Sequence, residues 1–159
     1  VGTICAYPKF TPVLFKEDDR CNGYPKETNA PYGFAKKALL VKLQSYRLQY
    51  AFNGIYLLPV NLYGSEDNFN PHSSHVIPAL IRKVYEAQRL GNKTLHAWGD
   101  GSPPREFLYS TDAARGIVMG TQLYSDIDSV DLGTNHEIYI CNLVKLICEL
   151  MEVKGDIAW

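Results

Sequence analysis

Tyr32 and Lys36 stand four residues apart in Ala30-Pro31-Tyr32-Gly33-Phe34-Ala35-Lys36-Lys37-Ala38-Leu39-Leu40. On a helix, that spacing puts a phenol and an ammonium on one face. A tyrosine ordinarily ionises near pH ~10. A neighbouring ammonium favours the phenolate, and the phenol then becomes usable as proton donor and acceptor near neutrality. A surface tyrosine beside a solvated lysine has the same spacing, so the pair reads as a site only in company. Upstream, Val1-Gly2-Thr3-Ile4-Cys5-Ala6-Tyr7-Pro8 reads as a strand running into a loop that carries a hydroxyl and a thiol. Further on lie His72 and His75, with no third or fourth ligand at a spacing that suits a metal, so no metal site is expected.

The elements that must position these groups follow from local signals. Asn29 can cap the helix, and Pro31 suits its first turn, where no intrahelical N–H is needed. Tyr32, Ala35, Leu39, Leu43, Tyr46 and Tyr50 recur at helical spacing, and Asn53-Gly54 is the expected stop. Ile55-Tyr56-Leu57-Leu58 is then a short β-prone run ended by Pro59, and a helix feeding a buried strand is half of a parallel α/β repeat. Ligands in such sheets sit at strand ends. Phe10 to Glu27 reads as a surface loop with at most a short helical turn, and Val60 to Gly64 as the strand's exit. A polar loop follows to Ser74, then an amphipathic helix from His75 to Leu90 with Ile77, Leu80, Ile81, Val84 and Ala87 on its apolar side. Strands are expected at Thr94 to Trp98, Glu106 to Tyr109, Val130 to Gly133, Glu137 to Ile140 and Ile157 to Trp159. Helices are expected from Thr111 or Asp112 to about Leu123 and, capped by Asn142, from Leu143 to Met151. A divide between two lobes is expected near residues 64–75.

Bulk properties narrow the class. A chain of 159 residues that is 46% hydrophobic can bury a real core. Net charge is −1 without a basic run, which argues against nucleic-acid or membrane-surface partners. No apolar stretch reaches membrane-spanning length, and the first residues do not read as a signal peptide. Cys5, Cys21, Cys141 and Cys148 have neither zinc spacing nor a small-scaffold disulfide pattern, so reduced thiols in a cytoplasmic protein are expected. No strand leads into a glycine-rich turn of the kind that cradles a dinucleotide pyrophosphate at a helix N-terminus.

The stretches Gly2-Thr3-Ile4-Cys5-Ala6-Tyr7-Pro8-Lys9, Thr28-Asn29-Ala30-Pro31-Tyr32, Pro59-Val60-Asn61-Leu62-Tyr63-Gly64, Ser74-His75-Val76-Ile77-Pro78-Ala79-Leu80 and Trp98-Gly99-Asp100-Gly101-Ser102-Pro103-Pro104-Arg105-Glu106-Phe107 together cover most of the chain. In order and spacing they resemble the extended, sugar-nucleotide branch of the short-chain dehydrogenase/reductase superfamily, and within it the GDP-4-keto-6-deoxy-mannose epimerase/reductases. The resemblance implies an α/β fold: the C-terminal part of an NAD(P)-binding Rossmann-type fold plus a smaller mixed α/β substrate lobe. Residues 1–64 would be the C-terminal half of the cofactor domain, its N-terminal half missing. Residues 65–159 would be mostly substrate lobe with returning Rossmann elements, incomplete at the C-terminus. The glycine turn would lie about a hundred residues upstream. Read this way, the chain is an internal piece of a longer enzyme that uses NADP(H), acts on a GDP-sugar and forms a homodimer. As an isolated piece it is expected to be inactive.

The same resemblance implies roles. The substrate is inverted at C3 and C5, both α to the C4 ketone, and then reduced at C4. Thr3 and Tyr32 would hydrogen-bond the enolate oxygen, and Tyr32 would later protonate O4. Thr3 stands where many relatives have serine, and the hydroxyl survives that change. Lys36 would tune Tyr32 and hold ribose hydroxyls. Cys5 and His75, not His72, would be the pair that removes and returns protons on opposite faces. Cofactor contacts would come from Val1, Gly2, Thr3, Ile4, Lys36, Pro59, Val60, Asn61, Leu62 and His75. Substrate contacts would come from Lys83, Trp98 and Arg105, two cations for a diphosphate and an indole for a ring. A sugar-nucleotide 4-epimerase or 4,6-dehydratase would also use Tyr32 and Lys36 but has no need of Cys5 with His75, and Thr3-Ile4-Cys5 lacks the acidic pair typical of dehydratases. A non-catalytic binding module is the reading from outside enzymology.

Overall fold

The computed structural model describes residues 1–11, 16–92 and 94–159. They divide into two compact units, residues 1–62 with 108–134, and residues 63–107 with 135–159.

In the first unit, helix α1 (Ala30–Tyr50) feeds strand β1 (Tyr56–Pro59), which is buried along its whole length. β1 pairs in parallel with β5 (Ser129–Leu132), Tyr56 opposite Ser129 and Pro59 opposite Leu132. Side chains alternate across a strand. Tyr56 and Leu58 therefore share one face, where they pack with Tyr7 and with Leu40 of α1. Leu57 points to the other face, toward helix α3 (Ser110–Leu123), whose Gly116 and Gly120 lie directly over Leu132 and Leu57. A parallel pair covered by a helix on each face explains why Tyr-Leu-Leu is a continuous apolar run. The hydroxyl of Tyr56 donates to the Lys36 carbonyl at 2.6 Å, and burial pushes this phenol's pKa up.

The opening residues do not form the expected strand. One ladder-like bond, Gly2 N–H to the Leu57 carbonyl at 2.7 Å, ties them to β1. A 3₁₀ turn then spans Ile4–Ala6, started by the Thr3 hydroxyl, which accepts from Cys5 N–H. The expected surface loop over residues 10–27 holds a second 3₁₀ turn, Glu17–Cys21, while residues 12–15 of that loop lie outside the described residues.

In the second unit, helix α2 (Val76–Leu90) follows His75 at its cap position and ends at Gly91. Helix α4 (Ile140–Leu150) packs against it, and Leu80, Val84, Ala87, Leu95, Leu143, Val144 and Ile147 form one core. Strand β3 (Thr94–His96) pairs in parallel with β7 (Asp156–Ala158), and β4 (Pro104–Tyr109) pairs antiparallel with β6 (Glu137–Tyr139). The exit of β1 contains one further short strand, β2 (Asn61–Tyr63), where a loop was expected. Among the described residues, no helix is long and apolar enough to cross a membrane.

Two helix boundaries depart from expectation for identifiable reasons. α4 begins before Asn142, because the N–H groups of Ile140 and Cys141 donate to the carbonyls of Pro103 and Gly101 at 3.2 and 2.9 Å. Two donors of its first turn are thus satisfied without a side-chain cap. α1 stops at Ala51 rather than at Asn53-Gly54. The Arg47 guanidinium holds the Asn53 side chain and the Ser125 carbonyl, and Gly54 is packed against Leu43. Ala51 is consequently left-handed, with φ 54°. An L-residue there costs about 1–2 kcal/mol, part of which glycine gives back as unfolded-state entropy. Ala51→Gly in the intact protein is expected to raise unfolding free energy by about 0.5–1 kcal/mol, seen as a higher denaturant midpoint at unchanged slope. A fall in the midpoint would contradict this account of the helix end.

Candidate active site

The first unit brings Thr3, Cys5, Tyr32 and Lys36 around the N-terminal turns of α1. Gly33 makes the approach possible: a Cβ there would lie 2.7 Å from the Cys5 carbonyl oxygen, a backbone atom with no room to yield. Tyr32 is half exposed, and Lys36 Nζ lies 5.5 Å from the centre of its ring. The same ammonium donates to the Val1 carbonyl at 3.1 Å, fixing it between the opening segment and the phenol. Asn29 sits at the cap position but makes no capping bond with its side chain. Its amide instead reaches Cys5 Sγ, 3.7 Å away. The sequence reading assigned Asn29 to the helix alone; the only signal for this contact is that cap and thiol belong to segments that must meet. Pro59 closes β1, and Val60 N–H continues the ladder to the Leu132 carbonyl at 3.1 Å, so residues 59–62 leave from the C-terminal end of a buried parallel strand.

The second unit holds the other expected residues in one cleft of about 290 Å³, whose lining includes His75, Lys83, Trp98 and Arg105. α2 supplies Lys83 two turns in from His75, Trp98 follows β3, and Arg105 lies in β4. Lys83 Nζ sits 3.9 Å over the Trp98 ring and donates to the His96 carbonyl at 3.2 Å. Burial lowers the pKa of this lysine, since the charged form gives up part of its hydration. Arg105 bonds only the neighbouring Pro104 carbonyl, through Nη1 at 2.8 Å, among the contacts described for it. Also on the lining, the Asp100 carboxylate accepts from the backbone N–H and hydroxyl of Ser102, which hold its pKa below the usual carboxylate range. Ser74 Oγ, on the cleft wall, is buried without a hydrogen-bond partner among the described residues. Trp159 also lines the cleft, although the sequence reading saw it only as the end of a strand. Among the described residues, no three His, Cys, Asp or Glu side chains group as metal ligands, and His72 lies outside the cleft lining.

The candidate residues therefore fall into two sets: a hydroxyl, a thiol, a phenol and an ammonium in the first unit, and a cationic, aromatic cleft with His75 in the second. Parallel strands flanked by helices, with functional side chains at strand ends and on the following helix, define the Rossmann-like α/β class. The chain belongs to the NAD dependent epimerase/dehydratase family, whose pattern matches residues 1–133. Over its whole length it is 39% identical to probable GDP-L-fucose synthase 1 of rice (Oryza sativa subsp. japonica), covering 48% of that protein, and 40% identical to GDP-L-fucose synthase of Sinorhizobium fredii, covering 51%. The solved GDP-L-fucose synthetase of Naegleria fowleri bound to NADP superposes with a TM-score of 0.87 at 29% identity, over 98% of this chain and 50% of that one. The chain spans about half the length of the curated relatives it matches.

The lowered pKa of Lys83 has a measurable consequence. Between the folded value and the ordinary lysine value the unfolded chain binds more protons, so stability rises with pH across that window. In the intact protein, Lys83 Nζ is expected to titrate below the exposed lysines in a ¹³Cε NMR titration. Lys83→Met should remove that part of the stability slope. A Lys83 midpoint level with the exposed lysines would refute the desolvation reading.

Proposed function

We propose that this chain carries the proton-handling and substrate-holding parts of an NADP(H)-dependent enzyme that converts GDP-4-keto-6-deoxy-D-mannose to GDP-L-fucose. The reaction is inversion at C3 and C5 followed by reduction at C4. The observation that supports it most is the first-unit cluster, in which Lys36 bridges the Tyr32 ring and the Val1 carbonyl beside the Thr3–Cys5 turn. The named relatives, at 39% and 40% identity, support the choice of substrate.

The donors present fit the nicotinamide–ribose end of such a cofactor. Lys36 spends one N–H on Val1, and an ammonium has two more to offer ribose hydroxyls. Residues 1–4 and 59–62 supply main-chain groups at the end of a parallel strand, and His75 is proposed as a further cofactor contact. When bound, the reduced nicotinamide supplies hydride to C4.

The protein's own groups do the rest. One member of the Cys5/His75 pair removes the proton at C3, and the C–H electron pair moves into the carbonyl to give an enolate. Thr3 and Tyr32 donate hydrogen bonds to the enolate oxygen and lower the barrier. The other member returns a proton on the opposite face, and C5 is inverted in the same manner. Tyr32 finally gives its proton to O4 as C4 is reduced, with Lys36 stabilising the phenolate left behind. Lys83 and Arg105 hold the diphosphate. In solution this enzyme is assigned as a homodimer.

Two experiments on the intact enzyme separate the steps. Cys5→Ser and His75→Gln should each suppress solvent deuterium incorporation at C3 and C5, while reduction of a pre-epimerised keto sugar suffers much less. Wild-type exchange in both variants would remove the Cys5/His75 pair from the mechanism. Tyr32→Phe should lower reduction by about 10²–10⁴-fold with NADPH binding retained. Undiminished reductase activity would end the Tyr32 assignment.

A further inference from the structure

Cys5 is held at its N–H, its carbonyl and its sulfur. The N–H donates to the Thr3 hydroxyl at 3.3 Å. The carbonyl faces Gly33, where a Cβ would lie 2.7 Å from the oxygen. The side-chain amide of Asn29 donates to the sulfur, with Nδ2 3.7 Å from Sγ. This last contact is one that the helix does not need. Asn29 stands at the cap position of α1 with φ −110° and ψ −4°, in place of the extended backbone from which a capping side chain reaches the N–H groups of the first turn. Its main chain is committed on both sides: its N–H donates to the Lys26 carbonyl and its carbonyl accepts from Gly33 N–H, each at 2.8 Å. The helix start therefore draws on the backbone of Asn29 and leaves the amide to the thiol.

The charged and ionisable groups on the segments around this contact are engaged elsewhere. Lys9 pairs with Glu27 at 3.1 Å, and the Tyr7 hydroxyl donates to the Asp131 carboxylate at 3.0 Å. Lys37 donates to the Gly23 carbonyl, and Lys36 to the Val1 carbonyl with its ammonium 5.5 Å from the centre of the Tyr32 ring. The amide is thus the polar group that meets Sγ among the described contacts.

We infer that Asn29 is a positioning residue for the Cys5 sulfur, its amide fixing the direction of Sγ and strengthening its hold when the sulfur carries charge during proton transfer. The inference rests on the reading of Cys5 as one member of the epimerising pair. A side chain free to turn about χ1 samples three staggered wells, and a donor on one side of the sulfur selects among them. A thiol sulfur is a weak acceptor, whereas a hydrogen bond to an ionised acceptor is about twice as strong as a neutral one. The amide consequently contributes more to the charged state than to the resting one, and only such a difference raises a rate.

The test uses the intact enzyme with GDP-4-keto-6-deoxy-D-mannose and follows solvent deuterium incorporation at C3 and C5. Asn29→Ala removes the amide, and Asn29→Asp keeps its shape while replacing the N–H donor by an acceptor. Both leave the backbone bonds of the helix start in place. Each is expected to lower kcat for exchange by about 10-fold with KM unchanged, while reduction of a pre-epimerised keto sugar stays at the wild-type rate. In a Cys5→Ala background, Asn29→Ala should have no further effect on the residual exchange, because it acts through the sulfur. Exchange at the wild-type kcat in Asn29→Ala overturns the inference and leaves the Cys5/His75 pair standing. A loss that Asn29→Asp restores also overturns it, since no donor would then be needed. So does an equal loss in the Cys5→Ala background, or a loss of exchange and reduction alike, because the effect would then not pass through the thiol. Wild-type exchange in Cys5→Ala defeats the reading of the pair itself, and the inference falls with it.

Discussion

The contact between the Thr3–Cys5 turn and the first turns of α1 is the constraint on which the first unit depends. It is a backbone-to-backbone approach, and it exists because position 33 has no side chain: a Cβ would sit 2.7 Å from the Cys5 carbonyl. Packing at that distance does several things together. It brings Asn29 within reach of Cys5 Sγ, and it places Val1 so that its carbonyl can take the Lys36 ammonium. It also seats Ile4 and Tyr7 on the core under α1, with Tyr7 hydroxyl donating to the Asp131 carboxylate at 3.0 Å. The core is thereby joined to the chemistry, since the segment that carries the hydroxyl and thiol also fills the space between α1 and β1.

The same logic explains why the phenol of Tyr32 and not that of Tyr56 is suited to proton transfer. Both belong to the first unit, and both are near Lys36. Tyr56 is buried, its hydroxyl is committed to the Lys36 carbonyl, and burial disfavours its phenolate. Tyr32 is half exposed and shares a helix face with the ammonium. One tyrosine locks the helix to the strand, and the other keeps half of its surface exposed. Gly2 is the hinge of this division, because its N–H is bonded to Leu57 and the Tyr56 ring fills the space where its side chain would be.

How much of this was legible in the sequence depended on whether the signal was local. α2 and β1 were readable from periodicity and composition, because their apolar residues recur at the spacing their own geometry requires. α1 was readable as a helix, but Tyr32, Leu39, Tyr46 and Tyr50 of its expected spacing are exposed, and Ala30, Gly33 and Leu40 are the buried residues. His75 and Gly91 were readable as the ends of α2 from where its periodic pattern starts and stops. The failures are places where contacts made in the fold, rather than the local residue types, decided the outcome. Asn142 was the natural cap for the last helix, yet carbonyls of Gly101 and Pro103 take the first-turn donors two residues earlier. Asn29 holds the cap position of α1, and its amide turns to a thiol 24 residues away. Ala51 takes a left-handed conformation that composition would have given to Gly54, because Arg47 and Leu43 occupy the later residues. Trp159 escaped notice because nothing near it in sequence says what it faces; the β3–β7 pairing does.

The cleft of the second unit gives its charges weak partners. Lys83 has given up part of its hydration, and burial lowers its pKa. What it receives in return is an indole face and a single carbonyl. These are weak partners for an ammonium, worth less than a carboxylate or a phosphate at contact distance. Arg105, also on the lining, pairs with no carboxylate among the described ion pairs. Asp100, the acid of the described lining, is hydrogen-bonded by Ser102 and makes no ion pair with either cation among the described ion pairs. Among the described residues, Lys83 and Arg105 thus share the cleft lining with one carboxylate, Asp100, that is ion-paired with neither. Burial of Lys83 beside such partners costs it part of its hydration, and an anion in contact with its ammonium would offset that cost.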